Sequence, residues 1–180
     1  MSNIRLKCQR EGNVPIEYGR FLDNFDFELT EPNTPRPWTN LLSNEEYLLS
    51  ITQLGSGFSC YKNINGNCVT RNPGFDGTDC GRFFYIRKNN GEAFSPMVYP
   101  VHRDLSDYKN YKCTYSPGLM EWQVKYGNIS TKLRVLVCNK ENTELYLLDI
   151  KNESSQKQKL DCFLYLDWAF SGVTNEWGCA

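Results

Sequence analysis

The sequence predicts an all-β fold, an antiparallel β-sandwich, on three observations. Residues alternate between apolar and polar in many segments, as where Leu133, Val135 and Val137 share one face and Lys132 and Arg134 the other. Glycine and asparagine separate several of these segments, and they supply the positive φ that a tight hairpin turn requires. No segment shows a sustained 3.6-residue period, so we expect few helices.

The predicted strands are short and follow one another closely from Tyr47 onward. They are Tyr47–Gln53, Phe58–Lys62 and Cys68–Arg71, Arg82–Lys88 and Glu92–Pro100, Tyr111–Tyr115, the two halves of Gln123–Val137, Glu144–Ile150 and Lys159–Trp168. Hairpin turns are predicted at Asn65-Gly66, Asn90-Gly91 and Gly127-Asn128. Roughly ten short strands at this spacing are typical of a sandwich or barrel.

The two ends of the sequence are less regular than its middle. Three prolines in Thr30–Trp38 fix φ and remove backbone donors, which predicts a stiff, extended surface segment. We expect residues 1–17 to form an N-terminal extension and residues 18–180 to form one sandwich domain. The strand pattern of Lys159–Trp168 lies close to Ala180, which is compatible with a complete protein and with a fragment cut soon after a strand. We expect a sandwich that is incomplete at its C-terminal side.

Composition and charge argue against several classes of function. The formal net charge is −1, from 20 basic and 21 acidic residues, so no strong field attracts nucleic acid or an anionic membrane. The first 15 residues lack the apolar core of a signal peptide, and the apolar run Cys162–Phe170 is too short to span a bilayer. We therefore expect a cytoplasmic protein, with its eight cysteines as thiols. The absence of any Cys-x-x-Cys pair and the single histidine, His102, argue against a metal site.

The tryptophans are candidates for stacking on sugar rings, but aromatic side chains more often fill cores and interfaces. Trp122 alternates with Val124 in a predicted strand, which favours a place in the core. Trp38, in the proline-rich segment, is interpreted as packing on another domain. Trp168 and Trp177 lie near the end of the sequence.

Charged residues offer few catalytic candidates. Asp161, Asp167 and Glu176 are the best-placed acids, and we favour a solvated or loop-capping role for them over catalysis. Arg36 and Arg71 carry the planar fork that grips phosphate or sugar hydroxyls, with a structural ion pair as the alternative.

The glycine-rich stretch Gly55-Ser56-Gly57 lacks the lysine and helix of a phosphate-binding loop. Its glycines are better explained by a bulge or by a close approach of two backbones.

A collinear series of motifs runs from Tyr18 to Trp177. It comprises Tyr18-Gly19-Arg20-Phe21 with Asp23, Glu28–Thr30, Thr34–Asn40, Leu54–Lys62, Thr70-Arg71-Asn72, Gly81–Arg87, Phe94-Ser95-Pro96, Pro100-Val101 and Leu164–Trp168. The series resembles the N-terminal domain of glycoside hydrolase family 94, the family of cellobiose, cellodextrin and chitobiose phosphorylases. Thr34–Asn40 is the most specific block. Ser43 and the loop Asn72–Asp79 depart from the family pattern. After Trp168 the match loosens, which leaves the subfamily and the substrate open.

The resemblance implies a super-β-sandwich of the galactose-mutarotase-like type, followed in a full-length member by a helical linker and an (α/α)6-barrel. Such an enzyme cleaves β-linked gluco-oligosaccharides with inorganic phosphate and inversion, releasing an α-sugar 1-phosphate. The catalytic aspartic acid belongs to the barrel, so the resemblance implies no catalytic residue and no cofactor in this chain. It also implies a homodimer when full length, and an oligosaccharide or disaccharide as ligand.

The residues that we expect to reach that sugar are Arg36, Trp38, Arg71, Asp167 and Trp168. Two other functions stay open at this point. One is a stand-alone sugar-binding module without catalysis. The other, a small sugar epimerase of the related superfamily, is disfavoured because that chemistry needs a histidine and a glutamate facing one groove, and His102 is the only histidine.

Overall fold

The computed structural model describes residues 5–9, 15–62, 68–71, 82–98 and 106–169, the first of these ranges and residues 15 and 16 by backbone alone. The described residues contain strands and turns without a helix. The strands are β1 (Arg5–Gln9), β2 (Pro15–Phe21), β3 (Phe27–Leu29), β4 (Thr39–Ser43), β5 (Tyr47–Thr52), β6 (Gly57–Tyr61), β7 (Arg82–Lys88), β8 (Ala93–Phe94), β9 (Tyr108–Ser116), β10 (Leu119–Tyr126), β11 (Ile129–Val137), β12 (Glu144–Asn152) and β13 (Leu160–Leu166). No helix that could cross a membrane is found in this part of the chain.

The strands form one large sheet and two small ones, all antiparallel. The large sheet has the order β1-β2-β3-β9-β10-β11-β12, and the small sheets have the orders β4-β5-β6 and β13-β7-β8. One apolar core joins the three sheets, with Trp122 from the large sheet, Leu49 and Ile51 from the second, and Ile86 and Phe94 from the third. This arrangement confirms the predicted all-β antiparallel sandwich, and its sheets are not closed.

The alternating patterns become strands as predicted, because each buries one face. Along β11 every second side chain is buried, from Ile129 to Val137. Trp122 is fully buried, which confirms its predicted place in the core. The strand predicted to begin at Glu92 is much shorter in the described residues, where β8 comprises Ala93–Phe94.

Two of the predicted hairpin turns lie in the described residues. Gly127 has a φ of 54° and, with Asn128, connects Tyr126 to Ile129 across β10 and β11. At the β7–β8 turn the positive φ values belong to Asn89 and Asn90, one residue earlier than predicted. Asparagine tolerates this conformation because its short side chain can bond to nearby backbone. The turn predicted at Asn65-Gly66 lies outside the described residues.

The irregular first part of the sequence contributes strands that the alternation did not indicate. β1, which lies within the stretch 1–17 that we set apart as an extension, pairs with β2 in the large sheet. β3 has three residues and joins β2 to β9, so it is too short for a period of two to be visible. These three strands extend the large sheet on the side opposite β12.

The buried side chain of Gln53 holds the proline-rich segment against the sandwich. Its Oε1 accepts a hydrogen bond from the Trp38 backbone N–H at 2.9 Å, and its Nε2 donates to Thr34 Oγ1 at 2.6 Å. Its backbone carbonyl accepts from Trp122 Nε1 at 2.7 Å and from the Tyr111 hydroxyl at 3.0 Å. One residue therefore connects a segment poor in backbone donors to the centre of the core.

The Trp38 ring lies part-buried against the core of its own domain, whereas the sequence suggested contact with another domain. Its centroid is 5.7 Å from the ring of Tyr18 and 5.7 Å from that of Phe27. These edge-to-face and tilted contacts are favourable arrangements for aromatic rings.

Gly57 confirms the interpretation of the glycine-rich stretch as a close approach of two backbones. Its φ is 145°, and a Cβ built on it would lie 2.0 Å from the carbonyl oxygen of Ser50 on the neighbouring strand. Gly55 has a φ of 81° in the turn between β5 and β6. Both conformations are strained for residues that carry a Cβ.

The largely buried carboxylate of Glu28 is held between two cations on the large sheet. Arg20 approaches it at 3.1 Å from β2, and Lys112 at 2.9 Å from β9. The hydrogen bond from Lys112 is the main reason that the pKa of Glu28 lies below its ordinary value of 4.5. The ionised form of Glu28 therefore stabilises the folded chain.

We expect Lys112→Met to lower the free energy of unfolding by about 1 kcal/mol at neutral pH. Because the pKa is lowered in the folded state, this contribution is present above pH 4.5 and is lost as the pH falls through the folded-state pKa. Urea unfolding of both proteins over a pH series measures the difference. Lys109→Met, at an exposed position on the same strand, is the control. A deficit that stays constant into the acid range contradicts the prediction.

Candidate functional site

A groove of about 580 Å³ lies between β12 of the large sheet and β13 of a small sheet, and strands β5 and β6 of the other small sheet also contribute to its wall. Most of its wall is apolar. The lining residues are Tyr47, Tyr61, Val69, Thr70, Asn142, Thr143, Glu144, Tyr146, Leu164, Leu166 and Trp168. The groove is thus the exposed seam of a sandwich whose sheets are not closed.

Three of the five sequence-predicted site residues meet at the rim of this groove. Backbone pairing brings them together, because Arg71 donates its N–H to the carbonyl of Asp167 at 2.8 Å, and Thr70 lies opposite Trp168. The Arg71 guanidinium is 4.0 Å from the Asp167 carboxylate. The Trp168 side chain is 50% exposed, so one large aromatic surface is open to solvent beside an ion pair.

The other two predicted residues, Arg36 and Trp38, do not line the groove. Arg36 is exposed in the proline-rich segment, where its carbonyl accepts a hydrogen bond from the Thr34 hydroxyl. Trp38 packs against the core as described above. For both residues, sugar binding stays a prediction.

A fully buried arginine lies beneath the groove and contacts the lining residue Glu144. Arg82, the first residue of β7, has no exposed surface, and its Nη2 donates to Glu144 Oε1 at 3.0 Å and to Ser59 Oγ at 2.7 Å. Within the described residues its Nε and Nη1 have no hydrogen-bond partner. A buried cation of this kind depends on its anion, because an unpaired charge in a protein interior is strongly unfavourable.

Glu144, the first residue of β12, is the shared hydrogen-bond acceptor of the polar side chains around Arg82. It accepts hydrogen bonds from the hydroxyls of Tyr47, at 2.8 Å, and Tyr146, at 2.7 Å, besides the one from Arg82. Burial is the main cause that raises the pKa of both tyrosines, so both hydroxyls stay protonated as donors at neutral pH. The carboxylate is consequently fixed by three donors from three strands.

Sequence reasoning missed this network, although the sequence holds a signal for it. Arg82 shares the buried face of β7 with Phe84 and Ile86, so a charged residue occupies an inward position of an otherwise apolar face. Glu144 occupies the corresponding position with Tyr146 on β12. A charged residue at a position that the strand alternation assigns to the buried face indicates that a group of opposite charge lies next to it.

The acids that sequence reasoning considered for catalysis are engaged in ion pairs where they are described. Asp161 lies 2.9 Å from Arg87 on the neighbouring strand, and Asp167 lies near Arg71. Glu176 and Trp177 lie outside the described residues, as does His102. The described part of the chain contains no group of three or more acidic, cysteine or histidine side chains that could hold a metal ion.

The strands on either side of the groove carry large apolar side chains that face solvent. Within the described residues, β12 pairs only with β11, and β13 pairs only with β7. The exposed apolar side chains of the two strands are Leu145, Leu147, Ile150, Phe163, Leu164 and Tyr165. Exposed apolar surface on an open sheet edge is typical of a site where further protein packs.

Comparison with known proteins identifies the family of this chain. The model of the glycosyl hydrolase 94 supersandwich domain matches residues 27–176. Among curated proteins, the chain is 29% identical over 166 residues to an N,N'-diacetylchitobiose phosphorylase of Vibrio proteolyticus, a match that covers 89% of this chain and 20% of that protein. It is 27% identical over 164 residues to the enzyme of the same name in Vibrio furnissii, with the same coverage. It is also 28% identical over 162 residues to a solabiose phosphorylase of Paenibacillus borealis, covering 86% of the chain and 20% of the relative.

The chain therefore spans about a fifth of the length of these curated relatives. The family match covers most of the chain and includes β3 to β13 together with Arg71, Asp167 and Trp168. With its open antiparallel sandwich, the chain belongs to the glycosyl hydrolase family 94 supersandwich domain family.

Proposed function

We propose that this chain is the N-terminal sandwich of an inverting glycoside phosphorylase. The full-length enzyme uses inorganic phosphate to cleave β-linked gluco-oligosaccharides and releases an α-sugar 1-phosphate. A helical-barrel domain supplies the aspartic acid that protonates the leaving oxygen, and the whole enzyme is a cytoplasmic homodimer. Family membership and the relatives named as phosphorylases support this proposal.

The sandwich contributes to sugar binding through the groove rim. The observation that carries this part of the proposal is the meeting of Arg71, Asp167 and Trp168 beside an exposed seam. The half-exposed indole offers a flat apolar surface to the face of a sugar ring. The guanidinium donates hydrogen bonds and the carboxylate accepts them, which together suit sugar hydroxyls.

The exposed apolar side chains of β12 and β13 receive the remainder of the enzyme in this proposal. Because these side chains flank the groove, they offer a partner protein an apolar contact surface on both sides of the polar groove residues Thr70 and Glu144. Burying these side chains stabilises the assembly by about 25 cal/mol for each Å² of apolar surface removed from water.

In the full-length enzyme we expect Trp168→Ala to raise KM for the oligosaccharide about 5- to 10-fold and to leave kcat within about twofold. Loss of a stacking contact made equally in the ground state and the transition state weakens binding without slowing chemistry. Initial rates of phosphate-dependent sugar 1-phosphate release, measured with N,N'-diacetylchitobiose, cellobiose and longer β-linked glucans, test both parts of the proposal.

Phe25→Ala is the matched control, because Phe25 is a 79% exposed aromatic residue in the β2–β3 turn. We expect it to leave KM and kcat unchanged. Absence of phosphorolysis with every β-linked substrate would remove the phosphorylase assignment. An unchanged KM in the Trp168 variant of an active phosphorylase would contradict only the proposed role of the groove rim in sugar binding.

A stand-alone sugar-binding module is the second candidate, favoured by the exposed Trp168 beside its ion pair. Titration calorimetry of the 180-residue chain with the same oligosaccharides separates the two functions. Saturable binding by the chain alone that disappears with Trp168→Ala supports the module. Binding that requires the full-length enzyme supports a rim completed by the barrel.

A further inference from the structure

Two buried cysteines lie directly opposite each other beside the groove. Cys60 on β6 pairs with Cys68 in an antiparallel bridge, and Val69 donates its N–H to the carbonyl of Ser59 at 2.8 Å. This bond joins the residue before Cys60 to the residue after Cys68. The two cysteines therefore occupy a non-hydrogen-bonded position of the antiparallel pair.

The geometry of such a position suits a disulfide. Directly opposite Cα atoms at these positions are about 4.5 Å apart, and their side chains point to the same face. Disulfides join cysteines whose Cα atoms lie roughly 4.4–6.8 Å apart. Both residues are buried, Cys60 with 3% and Cys68 with 5% of its surface exposed, and the structure holds both as thiols.

The two side chains also interact electrostatically. Burial raises the pKa of both thiols, and for Cys68 the charge of a neighbouring Cys60 thiolate raises it further. Three further cysteines with described side chains offer a contrast: Cys113 is buried on β9, Cys138 is part-buried after β11, and Cys162 is exposed on β13.

We propose that Cys60 and Cys68 form a reversible cross-strand disulfide when the chain meets a low-molecular-weight disulfide such as oxidised glutathione. One cysteine loses its proton, and its thiolate attacks a glutathione sulfur, breaking that S–S bond and expelling one glutathione thiolate. The thiolate of the second cysteine then attacks the protein sulfur of the mixed disulfide and expels the second glutathione. Two protein thiols are oxidised by two electrons, and one glutathione disulfide is reduced to two thiols.

The cross-link would act on the candidate groove, because each cysteine precedes a groove-lining residue. Tyr61 follows Cys60, and Val69 follows Cys68. The disulfide would therefore fix the backbone segments that carry Tyr61 and Val69 to each other. The inference does not depend on the proposed enzymatic function, since it rests on backbone pairing and burial alone.

Tryptic digestion separates the two cysteines and makes the bond easy to detect. Cleavage after Arg20, Lys62 and Arg71 places Cys60 in the peptide 21–62, where Pro37 protects the Arg36 bond, and Cys68 in the peptide 63–71. The native chain is incubated with oxidised glutathione, remaining thiols are blocked with N-ethylmaleimide, and the unreduced digest is analysed by mass spectrometry. We expect the joined peptides, two hydrogens lighter than their sum, and faster formation at about pH 8.5 than at pH 7.

Two variants and two conditions make the result specific. Cys162→Ser removes the exposed thiol and is expected to leave the joined species unchanged. Cys68→Ser is expected to abolish it, as is reduction with dithiothreitol before digestion. In urea, where the native pairing is lost, we expect the cross-links to scatter among the eight cysteines. Glutathione adducts alone, or pairing in native buffer no more selective than in urea, would overturn the proposal.

Discussion

Gly57→Ala is expected to lower the free energy of unfolding by about 3 kcal/mol or more, enough to lower the melting temperature by roughly 6–12 °C. The new methyl group would lie 2.0 Å from the carbonyl oxygen of Ser50, in a backbone conformation with a φ of 145°. Relief requires the paired strands β5 and β6 to move apart, because the obstructing atom belongs to the backbone. Urea unfolding followed by circular dichroism measures the loss.

Gly118→Ala is the matched control for this prediction. Gly118 also has a positive φ, of 77°, but a Cβ there would meet no atom within 4 Å. We expect that variant to lose about 1 kcal/mol, from backbone strain alone. Equal losses in the two variants would show that the close approach of Gly57 to Ser50 does not limit stability.

Glu144→Gln is expected to lower the free energy of unfolding by about 3 kcal/mol. The amide keeps the size of the side chain and removes the negative charge that Arg82 faces at 3.0 Å in a fully buried position. The cost comes from leaving a guanidinium in the interior without its anion. Chemical denaturation at neutral pH measures it.

Asp149→Asn, on the same strand, provides the comparison. Its carboxylate lies 2.8 Å from Arg134, but that pair is exposed to solvent, so we expect a change of at most about 1 kcal/mol. The double variant Arg82→Met with Glu144→Leu should recover part of the loss, since a buried ion pair can be replaced by apolar side chains of similar size. The recovery is incomplete because the hydroxyls of Tyr47 and Tyr146 lose their acceptor. A double variant less stable than Glu144→Gln alone would show that the network stabilises the fold beyond charge pairing.

The alternation of side chains predicted β7, β11, β12 and β13 well, because each of these strands places one face in the core or against a neighbour. Of β10 it predicted only the half that begins at Gln123. The same reasoning failed for β1 to β4. β3 is too short to show a period, and β4 buries only one of its five residues. β3 also depends on β9, a partner far away in the chain, and local patterns contain no information about such a partner.

The candidate site divides in the same way. Arg71, Asp167 and Trp168 were found from motifs, and the structure joins them although almost a hundred residues separate the first from the other two. The buried pair of Arg82 and Glu144 was missed because the two residues are 62 positions apart, and neither belongs to a motif that indicates the other. A charged residue on an apolar strand face indicates that a partner of opposite charge lies nearby, but only the arrangement of the strands shows which residue that partner is.

The pairing of β7 with β13 has a consequence for synthesis of the chain. Arg87 and its partner Asp161 are 74 residues apart, and the intervening strands β9 to β12 belong to a different sheet. At a ribosomal rate of about 5–20 residues per second, β7 waits roughly 4–15 s before this neighbour emerges. During that interval its free edge is open to other nascent chains, so chaperone protection would matter most between the emergence of these two strands.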